Sequence, residues 1–245
     1  MDEREYDVLD ATESSMWWFR GLHGHIRRMT ARYLPAPAGR VLDAGCGTGG
    51  ILAQLATAFP ALQRHGFDYV PIAARRAAAK TQAAVSVASV NTLPYAGQAF
   101  DVIVCADVLG HRGVNAEAAL AELAQALRPQ GVLLLNLPAY RWLMSYHDVS
   151  GHTERRFTRG EVERMLASRG LEPVFLSYWN TFLFPLLVIK RKIIGGTDGV
   201  SDVKPYPALV NRVFTGLMWM EGQLMAAGIP LPFGSSVFVV ARRRA

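Results

Sequence analysis

A run of adjacent apolar residues bounded by turn residues marks a strand covered on both faces. Apolar residues three and four apart mark a helix with one buried side. The two patterns alternate along this chain. Arg40 to Asp43 is a short apolar run that ends on glycines, and a helix follows over about Thr48 to Phe59. His65 to Asp68 closes a second strand. The Ala/Arg-rich helix after it, Pro71 to Thr81, starts on a proline, where no backbone N–H is required. Ala84 to Ala88 and Phe100 to Cys105 read as a third and fourth strand, the latter apolar and unbroken as a parallel strand should be. A helix over Ala116 to Leu127 is stopped by Pro129 and Gly131, and Val132 to Asn136 is the fifth strand. Thr158 with Glu161 forms a capping box for a helix reaching Ser168, Leu171 to Tyr178 is the sixth strand, and Ser236 to Ala241 the last.

This rhythm predicts an α/β fold, with a doubly wound, mostly parallel seven-stranded sheet whose ligand lies beyond the carboxyl ends of the strands. No internal repeat or linker divides the chain, so residues 1–245 read as a single domain. Two segments stand outside the alternation. Residues 1–36 read as helix around Trp17, Trp18 and Phe19, a candidate lid. Residues 179–235 form a helical insertion before the last strand, with Leu209, Val213, Phe214, Leu217, Met218, Leu224 and Met225 at helical spacing.

Composition narrows the class only a little. Hydrophobic residues make up 51% and charged residues 19%, which suits a chain with a full core. The net charge of +6 is spread over short clusters, which suits a solvated surface, nucleic acid or an anionic membrane face. Cys46 and Cys105 are too few for a disulfide scaffold or zinc ribbon and fit a reducing, cytoplasmic setting. The acidic start MDEREYDVLD lacks the order of a signal peptide, and no apolar run is long enough to span a bilayer.

The chemistry starts at VLDAGCGTGG. Gly45-x-Gly47-x-x-Gly50 after a strand matches a dinucleotide fingerprint, with Asp68 placed to bind ribose. The same turn also reads Asp43-x-Gly45-x-Gly47-x-Gly49. A pyrophosphate against this helix N-terminus would be repelled by Asp43. S-adenosylmethionine (SAM) has no phosphate and carries a sulfonium and an ammonium, both of which favour a nearby carboxylate. SAM is therefore the expected cofactor, and S-adenosylhomocysteine the by-product.

With VLDAGCGTG, GFDY, Leu93-Pro-Tyr95, AFDVIVCADVLGH and ALRPQGVLLLNLP in this order, residues 38–178 resemble the class I SAM-dependent methyltransferases, in particular their type 11/12 small-molecule group. Trp17 to Arg20, the HD…GH…RRF stretch and Leu231 to Ser236 resemble a bacterial subgroup of unknown acceptor. The resemblance implies the Rossmann-like fold of the class. Gly45, Gly47 and Gly49 would line the methionine and ribose, and Asp68, with Tyr69 beside it, would hold the ribose hydroxyls. Ser89 and Val90 would meet adenine, with Ser89 or Asn91 standing in for the acid usual in the family. Cys105 would offer backbone groups to the methionine end, and Arg20 would reach its carboxylate.

SYHDVSGHTERRF, Ser145 to Phe157, follows the fifth strand on the edge where the acceptor should sit. It reads as a metal site, as an acid–base group with His147 or His152 oriented by Asp148, as an anion clamp of Arg155 and Arg156, or as a structural loop. The spacing disfavours metal, and no metal is expected. Trp18, His111 and Tyr140 join Arg155 and Arg156 as candidate acceptor contacts. Residues 179–194, apolar and then basic at Lys190 to Lys192, suggest an acceptor roof, a peripheral membrane contact at the inner membrane face, a homodimer face or plain core. Together these point to methyl transfer, most simply at oxygen, to a small lipophilic or natural-product-like acceptor. A SAM-binding cyclase on the same fold and an RNA methyltransferase are the alternatives, the latter without any dense basic-aromatic stripe, so no nucleic-acid partner is expected.

Overall fold

The computed structural model describes residues 3–36, 38–145, 148, 151–192 and 203–244. Seven strands run through it: β1 (Gly39–Ala44), β2 (Leu62–Asp68), β3 (Ala84–Val87), β4 (Phe100–Ala106), β5 (Leu127–Pro138), β6 (Leu171–Trp179) and β7 (Ser236–Arg243). They form one sheet in the order β3-β2-β1-β4-β5-β7-β6. β1 to β5 pair in parallel, and β7 slots antiparallel between β5 and β6. Strand order reverses between β1 and β4, which opens a crevice at their carboxyl ends.

The helices are α1 (Glu3–Thr12), α2 (Trp17–Tyr33), α3 (Gly50–Ala58), α4 (Pro71–Thr81), α5 (Ala116–Ala126), α6 (Arg159–Ala167), α7 (Phe184–Lys192) and α8 (Ala208–Ala226). Adjacent strand residues point to opposite faces, so Val41 and Leu42 enter different cores. On Leu42's side lie Leu120 and Leu123 of α5 with Val162 and Leu166 of α6. On Val41's side lie Leu22, Ile26 and Met29 of α2, Leu55 of α3, and Met218 and Met225 of α8. Both faces of the central strands are thus covered, which is why they read as unbroken apolar runs.

Several element boundaries differ from the sequence pattern for local reasons. α3 starts at Gly50 because Gly49 is left-handed, with φ of 91°. The amino-terminal helix breaks into α1 and α2, joined through Glu13 to Met16, where Met16 takes an extended backbone. β5 reaches back through Pro129 and Gly131 because Leu127 pairs with Phe100 across a register shift.

Candidate active site

Three strands end on an acid at the crevice: Asp43 on β1, Asp68 on β2 and Asp107 just beyond β4. Asp43 is fully buried, and both its carboxylate oxygens are without a hydrogen-bond partner. Burial, with Asp68 and Glu13 nearby, raises its pKa to about 8. Asp68 Oδ2 accepts from the Gly47 N–H at 2.9 Å, and its Oδ1 from the Val70 N–H at 2.9 Å. Gly45 has φ of 80°, and a Cβ there would lie 2.3 Å from Val108. Only glycine fits between the turn and the loop after β4.

The N-terminal segment closes over this turn. Leu9 of α1 lies against Gly47, and Asp10 and Glu13 both pair with Lys80 of α4. Glu13 is buried, as is His23, whose pKa burial and Lys80 lower to about 4.

Asp107 holds a left-handed backbone at φ 58°, an uncommon conformation for a residue other than glycine. Its carboxylate accepts from Asn136 Nδ2 at 2.8 Å, and Asn136 Oδ1 in turn accepts from Trp179 Nε1 at 2.6 Å. Burial raises the Asp107 pKa to about 7, with the Asn136 bond and Arg156 acting in the opposite direction. Asp107 was not among the residues singled out from sequence. The signal was present, since it ends an apolar strand just as Asp43 and Asp68 do. Glu13 and Asn136 were missed as well, and no local motif marks either.

The other expected cofactor residues are placed as follows. Ser89 Oγ accepts from the Asn91 N–H at 3.2 Å, and Val90 is buried beside it. The Asn91 side chain spans to Gly113 O and Asn115 N–H, so its amide is turned to that loop. Tyr69 is largely exposed, and Cys105 is wholly buried within β4. Arg20 is exposed and lines a groove of about 590 Å³ against Asn211, Arg212, Thr215 and Trp219.

The described residues of the polar loop after β5 are tied together by ion pairs and hydrogen bonds. Asp148 receives Arg156 at 2.6 Å, and the Ser145 N–H at 2.8 Å. Arg156 also donates to Ala139 O at 2.8 Å. Arg155 pairs with Glu117 at 2.9 Å and lies over the Phe157 ring. The Asp148 carboxylate is thus taken up by Arg156 and Ser145, and both arginines are engaged within the fold. His152 is exposed with φ of 57°, and His147 lies outside the described residues. His111 is half-buried, and burial, the largest cause, lowers its pKa to about 4. Among the described residues no cluster of His, Cys, Asp and Glu could hold a metal ion.

An aromatic wall runs outward from the ends of β5 and β6. Tyr140 stacks on Tyr178 at 5.1 Å and on Trp142 at 5.7 Å, and Phe184 links Tyr140 to Phe233. On the inner side, Trp18 packs against Trp179 at 5.5 Å.

A model of the methyltransferase domain matches residues 17–175. The chain belongs to the SAM-dependent methyltransferases. No curated protein matches this methyltransferase in sequence. Among solved structures it resembles a TehB-like SAM-dependent methyltransferase from Corynebacterium glutamicum, at 20% identity and TM-score 0.56, covering 91% of this chain and 88% of that one. It also resembles geranyl diphosphate methyltransferase in complex with SAM, at 16% and 0.61, covering 90% and 85%. A third is the 4+2 cyclase SpnF, at 19% and 0.61, covering 91% and 82%. At these identities the likeness is one of fold.

The residues of the methyltransferase fit its cofactor. A buried, unpartnered carboxyl at Asp43 suits a cationic ligand, which favours its charged form. Bound there, SAM supplies a methyl group made electrophilic by a sulfonium. Asp43, Asp68 and the glycine turn would be the groups to hold it.

Proposed function

We propose that this methyltransferase acts on a hydroxyl of a small lipophilic acceptor. The observation that carries the reading is the aromatic wall of Tyr178, Tyr140 and Trp142, continued by Phe184 and Phe233, at the sheet edge that also bears Asp107. Such a wall recognises an apolar body by contact area and offers few fixed polar partners. It supports Tyr140 as an acceptor contact.

Asp107 is the group we assign to the acceptor's proton. Its carboxylate is held by Asn136, and its raised pKa lies close to neutral, where a general base is most effective. SAM held beside it would supply the methyl group to the acceptor oxygen and keep the electron pair of the broken bond on sulfur. The hydroxyl proton passes to Asp107. His152 is less suited because it is exposed on the rim. Closure of α1 over the glycine turn supports a lid role for the N-terminal helices, since exclusion of water strengthens the electrostatics within.

The test is to incubate the protein with methyl-labelled SAM and a panel of hydroxylated lipophilic compounds. Label in an organic-phase product heavier by one methyl group is expected. Label confined to water-soluble acceptors would contradict the reading. The SpnF-like fold makes a product of unchanged mass the outcome that would mark a cyclase.

A further inference from the structure

We propose that α7 and its neighbours form a docking surface for an anionic lipid bilayer. None of the residues of α7 is buried. Leu186 and Ile189, three apart and so on one helix face, are 53% and 42% exposed, and Phe182 in the turn before α7 is 42% exposed. The polar contacts lie on the opposite side, where Arg191 donates to Leu143 O at 3.1 Å and faces Asp148 at 3.9 Å. A helix packed on a water-soluble fold normally turns its apolar stripe inward. Here Leu186 and Ile189 face out, while Phe184 and Arg191 of the same helix face the fold.

The surface continues beyond the helix. Trp142 and Phe233 are also 50% and 42% exposed, and both rings contact Phe184. An apolar surface of this continuity marks an interaction site on a water-facing fold. Its flanks decide the partner. Exposed Arg141 adjoins Trp142, and exposed Lys192 ends the helix. Apolar residues at the centre with cations at the margin suit acyl chains below and anionic headgroups around them. At nine residues, or ~13 Å, α7 lies in an interface and does not cross one. Among the described residues no helix is long and apolar enough to span a membrane.

The docking surface shares Trp142 and Phe233 with the aromatic wall, so an acceptor dissolved in the bilayer would reach the sheet edge without entering water. That consequence rests on the lipophilic-acceptor reading, whereas docking itself does not.

The experiment is co-sedimentation of the full chain with vesicles of phosphatidylcholine alone or with added phosphatidylglycerol. Binding should require phosphatidylglycerol, weaken as salt is raised, and vanish in Leu186→Asp/Ile189→Asp. Arg141→Gln/Lys192→Gln should lower affinity for the anionic vesicles about five-fold per cation. Circular dichroism and SAM calorimetry on each variant separate lost docking from lost folding or a lost cofactor site. Failure to pellet with phosphatidylglycerol vesicles would overturn the proposal, as would equal pelleting by Leu186→Asp/Ile189→Asp. A concentration-dependent dimer that this variant abolishes, with no vesicle binding by the native chain, would assign the face to a second copy instead.

Discussion

Asn136 holds the Asp107 carboxylate at 2.8 Å with its amide nitrogen, while its amide oxygen is fixed by the Trp179 indole at 2.6 Å. This chain ties the end of β4 to the end of β6 and orients a carboxylate at the crevice. Asp107→Asn should therefore fold and bind SAM like the native protein but lose methyl transfer by roughly 10²–10⁴-fold. The native rate should rise with pH through about 7, and the variant's should not. An undiminished rate in Asp107→Asn would remove the assigned base.

Trp179→Phe keeps the ring between Trp18 and His25 but removes the indole N–H. The unpaired Asn136 oxygen should cost about 1–3 kcal/mol of stability in urea unfolding. The pH midpoint of methyl transfer should shift as Asp107 loses its fixed partner.

Asp148 and Arg156 are both buried, so breaking the pair leaves one charge without compensation. Asp148→Ala should lose about 3–5 kcal/mol of stability. Removal of both, as Asp148→Leu/Arg156→Met, should recover much of that loss. If Asp148→Ala keeps native stability but loses turnover, Asp148 belongs to the chemistry after all.

His25 is buried between Trp179 and Phe238, and burial followed by Arg28 lowers its pKa from 6.5 to about 3. A folded-state pKa below the unfolded value gives stability that is full above about 6.5 and is lost as pH falls toward 3. His23 and His111 act in the same direction. The raised pKa values of Asp43 and Asp107 act oppositely, giving stability that is full below about 4 and is lost as pH rises toward 7 or 8. His25→Phe should therefore unfold less steeply with acid than the native chain when urea midpoints are compared between pH 7 and pH 4. Identical slopes would show that His25 is not held neutral.

The sheet was legible because buried parallel strands are apolar throughout, as in Val102, Ile103 and Val104. The glycine turn and Asp43 were legible because their chemistry sits within ten consecutive residues. Partners brought together only by folding were not. Asp148 reads in sequence as a neighbour of His147, yet its carboxylate is claimed by Arg156 and Ser145. Asn91 reads as an adenine contact, yet its amide spans Gly113 and Asn115. The aromatic wall joins Tyr140, Tyr178 and Phe233 from three separate elements, which no local pattern announces.

Asp43 would be central to the cofactor site because it is buried with neither carboxyl oxygen hydrogen-bonded. With a pKa of about 8, Asp43 is largely protonated at pH 7 before binding, and a cationic ligand beside it should drive the proton off. Calorimetric titration with SAM at pH 7, in two buffers of different ionisation enthalpy, measures that proton directly. The expected result is saturable binding that releases up to one proton, with the release abolished in Asp43→Asn. Binding without proton release, or no binding near millimolar SAM, would contradict it.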